Sequence, residues 1–151
     1  MPVPTLVAFV FCLGSAFVAQ ALEAPVSAQQ TAGALLDALQ ANDLAAAESH
    51  CLDPATFAAL SRRPQPADEM HARQRGFLRQ LAREFQLGVR LERLELKDVL
   101  LLPAGVKTRR EVVMAVFHLG LVVPDGDPAR PAVTPLLFIQ ADGGWKFFAR
   151  D

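Results

Sequence analysis

His118 is the residue in this sequence whose type and surroundings point most directly to chemistry. It lies in the apolar run TRREVVMAVFHLGLVV (Thr108–Val123). If that run is a strand, His118 shares one face with Val112, Met114 and Val116. Burial in so apolar a row would disfavour the charged imidazolium, so His118 could act as a general base near neutral pH. The alternative, which we favour, is a core or pocket histidine that is hydrogen-bonded to the backbone.

Asp98 is the carboxylate that could act together with His118. It follows the alternating charged residues Arg93, Glu95 and Lys97 near the end of a predicted strand. If Asp98 points inward, it could orient His118 for proton transfer; if it points outward, it is an ordinary surface residue. A β-bulge predicted earlier in that strand leaves both orientations open, because a slip of one residue reverses every side chain. His118 and Asp98 are therefore the speculative catalytic residues.

The cysteines and the other histidines favour neither a nucleophilic site nor a metal site. Cys51 follows His50, but neighbours on a helix diverge by about 100° and do not face each other. We predict that Cys51 is a small, buried, apolar residue. His50, His71, His118 and Cys51 lack the paired spacing of metal ligands, so we predict neither a metal nor an organic cofactor.

The charged residues are nearly balanced, with 15 Lys and Arg against 16 Asp and Glu. This balance argues against a nucleic-acid partner. His71, Arg75, Arg79 and Arg83 recur at every fourth position of a predicted helix. Such a row could bind an acidic partner, phosphate or lipid headgroups, but we interpret it as a solvated helix face.

Met1–Ala21 has the pattern of a secretory signal peptide. The apolar segment Thr5–Val18 is followed by Ala19-Gln20-Ala21, and signal peptidase accepts this small-x-small pattern. Cleavage after Ala21 would deliver residues 22–151 to the periplasm or the extracellular space. It would also remove Cys12, so Cys51 could form no internal disulfide. The alternative is a retained leader that tethers the domain to a membrane.

The remaining 130 residues, 22–151, are enough for one domain, and their patterns predict helices followed by strands. Ser27 and Gln30 fit a capping box, Asp43 and Asp53 fit helix caps, and Gly88 fits a helix end. The predicted helices are Ser27–Gln40, Leu44–His50, Ala55–Leu60 and Ala67–Leu87. From Val89 the apolar period becomes two, and it slips at Glu92-Arg93, which indicates the bulge. The predicted strands are Val89–Leu102, Glu111–Val123, Ala132–Gln140 and Trp145–Asp151, the last two joined by a turn at residues 142–144.

Helices followed by strands predict an α+β fold in which the N-terminal helices pack on a curved, mainly antiparallel sheet of about four strands. Two segments, ALLDALQANDLAAAESHCLDPATFAAL and FIQADGGWKFFARD, carry a resemblance of the chain to the nuclear transport factor 2-like superfamily. It implies a cone-like shape with a pocket in the concave face, but no single activity. Enzymes of the superfamily such as ketosteroid isomerase use a tyrosine, and this chain has none.

We therefore interpret the chain as an exported, non-enzymatic module that binds a small apolar ligand or a protein partner. Self-association through the sheet is expected, because the face of Val113, Ala115, Phe117, Leu119 and Leu121 is too apolar to remain in water. The first alternative is a small lyase or isomerase that uses His118 with a carboxylate. The second is a membrane-tethered accessory domain with an uncleaved leader.

Overall fold

The fold is a helical layer on a four-stranded antiparallel sheet, in a computed structural model that describes residues 26–62, 66–105, 107–141 and 144–149. The helices are α1 (26–40), α2 (Leu44–Ser49), α3 (Pro54–Leu60) and α4 (Ala67–Gln86). The strands are β1 (Arg90–Leu102), β2 (Val112–Val122), β3 (Ala132–Ala141) and β4 (Gly144–Phe148). The α+β prediction is confirmed. The predicted signal peptide, Met1–Ala21, lies outside the described residues.

Local signals explain most of the helix boundaries. The Asp43 carboxylate accepts a hydrogen bond from the Ala46 N–H (3.1 Å), and Asp53 accepts one from the Thr56 N–H (2.9 Å), as the cap predictions required. Gly88 has a φ of +102°, a conformation that favours glycine just after α4. The capping box at Ser27 is wrong, because α1 already includes Val26. The Ser27 hydroxyl instead accepts a hydrogen bond from the Trp145 indole N–H (3.0 Å).

The sheet has the order β1-β2-β3-β4, and all its pairs are antiparallel. The pairing of β1 with β2 shifts register between Leu91 and Arg93, which confirms the predicted bulge. A second shift, which was not predicted, lies between Leu96 and Asp98. Each bulge adds twist and bends its strand, so β1 gives the sheet its curvature.

One face of the sheet, which we call the inner face, is covered by helices. Ala115, Phe117 and Leu119 of β2 have no exposed surface, and Leu121 is also buried. They share a core with α1 and α4, whose buried leucines are Leu35, Leu36, Leu39, Leu78 and Leu81. The apolar row predicted for self-association is thus largely covered by the chain's own helices. A homodimer stays a prediction, but this row does not supply its interface.

The opposite face, the outer face, has a smaller core at one end. There α3 contributes Phe57 and Leu60, which cluster with Val112 and Ile139 of the sheet. Helix α4 joins both cores, because Met70 near its start belongs to the outer cluster and Leu78 to the inner one. Gln74 lies between these residues of α4 and is fully buried. Within the described residues, no helix combines the length and the apolar composition that crossing a membrane requires.

Candidate functional site

His118 lies on the outer face of the sheet, half-buried and directed away from α1 and the inner core. The reason is the alternation of β2: its odd-numbered residues enter the inner core, so its even-numbered residues face outward. His118 therefore shares its face with Val112, Met114 and Val116, as predicted. The register places Glu95 of β1 and Pro135 of β3 directly opposite His118.

Asp98 also lies on the outer face, where it pairs with Val116 and is exposed. The second bulge determines this orientation, since Leu96 pairs with Phe117 on the inner face and Asp98 returns to the outer one. One Asp98 carboxylate oxygen accepts a hydrogen bond from the N–H of Val99 (2.9 Å). Asp98 and His118 therefore share a face without being opposite each other. A catalytic role for either residue stays a prediction.

Glu95 is the carboxylate that the register brings opposite His118, and it was not among the predicted site residues. Its carboxylate lies 3.0 Å from the Lys97 Nζ and 3.7 Å from the Arg93 Nε. The hydrogen bond from Lys97 lowers the pKa of Glu95, and the charges of Lys97, Arg93 and His118 lower it further. Glu95 is therefore an ionised group that can hold a cation or orient an imidazole. The alternating charges of Arg93, Glu95 and Lys97 indicate that these residues share one face of β1, but only the register of β1 with β2 shows that Glu95 lies opposite His118.

Apolar side chains occupy the middle of the outer face next to these charges. We call the outer patch the set formed by Met114 and Val116 of β2 with Val133, Pro135 and Leu137 of β3. Met114, Val116 and Leu137 are half-buried, whereas Val133 is 54% exposed. Helix α3 covers only the neighbouring end of this face, where Phe57 stacks on Phe148 with ring centroids 6.0 Å apart. The outer patch is therefore apolar, partly open and bordered by Glu95 and His118.

Cys51 is buried, as predicted, and its thiol is poorly reactive. Burial raises the pKa of its thiol to about 12, and the nearby Glu48 carboxylate adds to that rise. Burial, and then the Lys146 ammonium, lowers the pKa of His50. A thiol with so high a pKa forms almost no thiolate at neutral pH, so Cys51 is a poor nucleophile. Among the described residues, no group of three or more His, Cys, Asp or Glu side chains could hold a metal ion.

Two of the four basic residues in the row on α4 are exposed, and the other two, His71 and Arg75, are half-buried. Arg79 and Arg83 are exposed, and Arg75 donates to the Glu48 carboxylate across to α2 (3.1 Å). Arg75 thus helps to hold two helices together. The exposed part of the row agrees with its interpretation as a solvated face that balances neighbouring carboxylates, but the Nδ1 of His71 is buried and has no hydrogen-bond partner among the described residues.

No family model and no curated protein sequence matches the chain. Among solved structures, it is similar to a proposed dehydratase of the NTF2-like (nuclear transport factor 2-like) family from Streptomyces avermitilis. The identity is 15%, the alignment covers 83% of this chain and 92% of that one, and the TM-score is 0.41. This is a weak resemblance to the family that the sequence suggested. It concerns the fold alone and carries no argument about activity.

Proposed function

We propose that the protein is an exported, non-enzymatic binding module that holds a protein partner on the outer face of its sheet. The observation that carries the proposal is the outer patch, an apolar surface left partly open between α3 and the β1 charges. Export is supported by the sequence of the leader, Met1–Ala21.

The packing of the inner face supports an external binding surface. Ala115, Phe117 and Phe138 are fully buried there, and the Phe117 and Phe138 rings meet edge to face at 5.6 Å. Side chains therefore fill this part of the concave face, where the sequence resemblance had implied a pocket. A partner that docks on the outer patch would cover Val116 and Leu137 and meet the charges of Glu95 and Lys97 at its rim.

Site-specific photo-crosslinking in the producing cells tests this proposal. A photoreactive residue in place of Leu137 should give a defined adduct with another protein, identified by mass spectrometry. The same residue in place of Ala59, which is exposed on α3, is the matched control. Leu137→Lys should weaken the interaction of the partner, once identified, by at least about tenfold, because a charge would replace a buried apolar contact. No adduct at position 137 above the level at position 59 would contradict the proposal.

The position of Glu95 opposite His118 favours a lyase or isomerase as the second candidate function. A carboxylate beside an imidazole is a common arrangement for removing a proton next to a carbonyl group. This reading predicts turnover of some member of a panel of small β-hydroxy and β,γ-unsaturated carbonyl compounds. His118→Ala should then lower kcat by a factor on the order of 100 or more. Turnover that survives His118→Ala would exclude this residue as the base.

A further inference from the structure

The free edge of β1 is the most conspicuous unpaired element of the described structure. At the other edge of the sheet, the backbone next to Cys51 pairs with β4: the Leu52 N–H donates to the Phe147 carbonyl (2.9 Å), and the Phe147 N–H donates to the His50 carbonyl (2.7 Å). Within the described residues, β1 pairs with β2 alone. An uncovered edge strand offers its free N–H and C=O groups to another strand.

The side chains of β1 show which kind of partner fits this edge. None of its 13 residues is fully buried, and Lys97–Leu101 are exposed in succession. Val99 is 39%, Leu100 40% and Leu101 59% exposed. Val99 and Leu101 face inward, whereas Leu100 faces outward, because their partners on β2 are Ala115, Val113 and Met114. A ligand lying on one face would cover only part of this run, but a strand alongside β1 would contact both faces.

We propose that β1 pairs with β1 of a second copy of this chain, antiparallel and around a two-fold axis between Lys97 and Asp98. This goes beyond the proposed function and uses the edge of β1, which shares Lys97 with the rim of the outer patch but none of the residues of the patch itself. The bulge at Lys97 and Asp98 selects the axis, since both residues face outward while Leu96 and Val99 face inward. A two-fold axis between them maps that irregularity onto itself. The inward and outward residues of the two strands then match along residues 93–102.

Opposite charges meet next to the axis in this register, whereas Glu95 and Arg93 lie opposite Leu100 and Leu102 of the second copy farther out on the outer face. Lys97 lies opposite Asp98 of the second copy on the outer face, and symmetry repeats this pair. On the inner face, Val99 lies opposite Leu96 of the second copy, and Leu101 opposite Leu94. These are apolar residues with residual exposure on both sides of the contact. A shift of one residue in either direction would place an inward residue opposite an outward one, or Asp98 opposite its own copy.

Charge reversal tests the register by sedimentation equilibrium on the full-length chain. The wild type should dimerise reversibly. Lys97→Asp should raise the dimer Kd by about tenfold or more, because each symmetry-related pair becomes a like-charge pair. Asp98→Lys should do the same. The double variant Lys97→Asp/Asp98→Lys restores opposite charges and should recover most of the wild-type affinity. Circular dichroism of each variant checks that the monomer stays folded.

Cross-linking gives a second test that does not depend on charge. In a chain with Cys12→Ser, the double variant Leu96→Cys/Val99→Cys should form an interchain disulfide on mild oxidation. Within one chain the bulge leaves Leu96 and Val99 only about 7 Å apart, since they pair with Phe117 and Ala115, so a non-reducing gel must show that the disulfide joins two chains and not two cysteines of one chain. Cys51 is buried, so it does not compete. Leu100→Cys alone is the matched control and should stay uncrosslinked.

Several results would overturn the proposal. A wild-type chain that is monomeric at all concentrations up to the millimolar range would exclude this dimer. A dimer whose Kd is unchanged in each of the single variants Leu101→Lys, Lys97→Asp and Asp98→Lys would have another interface. A disulfide through Leu100→Cys in preference to the double variant would show a different register.

Discussion

Gln74 is a buried polar residue on which two parts of the chain depend. Its side-chain amide donates to the Leu52 carbonyl (3.0 Å) and accepts from the Ala149 N–H (3.3 Å). Gln74→Leu would leave both buried backbone groups without these partners, so it should lower the free energy of unfolding by about 2–4 kcal/mol. Urea unfolding followed by circular dichroism measures this change.

Gln80 on the same helix is the matched control for that prediction. It is exposed, and its hydrogen bond runs to the Glu84 carboxylate (3.2 Å) at the surface. Gln80→Leu should therefore change the free energy of unfolding by less than about 0.5 kcal/mol. Equal losses in the two variants would show that the buried hydrogen bonds of Gln74 do not account for its effect, because leucine and glutamine have similar helix propensities.

Sequence patterns predicted only part of the surroundings of His118. They identified His118 and its apolar neighbours correctly, because a regular strand fixes which residues share a face. They named Asp98 as its carboxylate partner, whereas the register sets Glu95 directly opposite it. The position of Asp98 depends on the bulge between Leu96 and Asp98, which has no signal of its own among the surrounding charges.

At the scale of elements, the cap of α3 predicts a specific pH dependence. Hydrogen bonds from the Thr56 hydroxyl (2.6 Å) and then from its N–H lower the pKa of Asp53. A carboxyl whose pKa is lower in the folded state stabilises the fold above its unfolded pKa, and this contribution is lost as the pH falls through the folded pKa. Between pH 5 and pH 2, Asp53→Asn should therefore gain stability relative to the wild type, because asparagine caps without titrating.

The measurement is urea unfolding of both proteins at several pH values. Asp53→Ala provides the control, since it removes the cap altogether and should cost about 1 kcal/mol at neutral pH. A constant difference in unfolding free energy between Asp53→Asn and the wild type across this pH range would refute the prediction.

The end of α4 gives a second prediction about an element. Gly88 has a positive φ, and a Cβ at this position would lie 3.1 Å from the Pro124 Cγ. Gly88→Ala should therefore lower the free energy of unfolding by roughly 1–2 kcal/mol. Gly76 lies inside the same helix, where a Cβ would meet nothing within 4 Å. Gly76→Ala should instead stabilise the protein by roughly 0.5–1 kcal/mol, and thermal unfolding of both variants would detect any reversal of sign.

For the whole molecule, we predict that Met1–Ala21 is a leader that directs the protein to its place of action. We predict cleavage after Ala21, so mass spectrometry of the exported protein should find Leu22 at the N-terminus. Ala21→Arg should block cleavage, because signal peptidase requires a small residue before the cut. An exported wild-type chain that still begins at Met1 would instead support the membrane-tethered domain.

The sequence by itself determined the elements, their order and the α+β class. These follow from local physics: the apolar period distinguishes helices from strands, Asp43 and Asp53 cap α2 and α3, and Gly88 permits the turn after α4. The first bulge of β1, between Leu91 and Arg93, could also be predicted from the sequence, because it shifts the apolar period of the strand.

Only the tertiary structure decided how the two faces of β2 are used. Both faces are apolar in sequence, so composition could not show that α1 and α4 cover the row of Ala115, Phe117 and Leu119. That choice places His118 on the outer face, sets Glu95 opposite it, and removes the apolar row that self-association was expected to use. It also leaves the edge of β1 open. Each of these outcomes depends on contacts between residues far apart in the chain, and no local pattern encodes them.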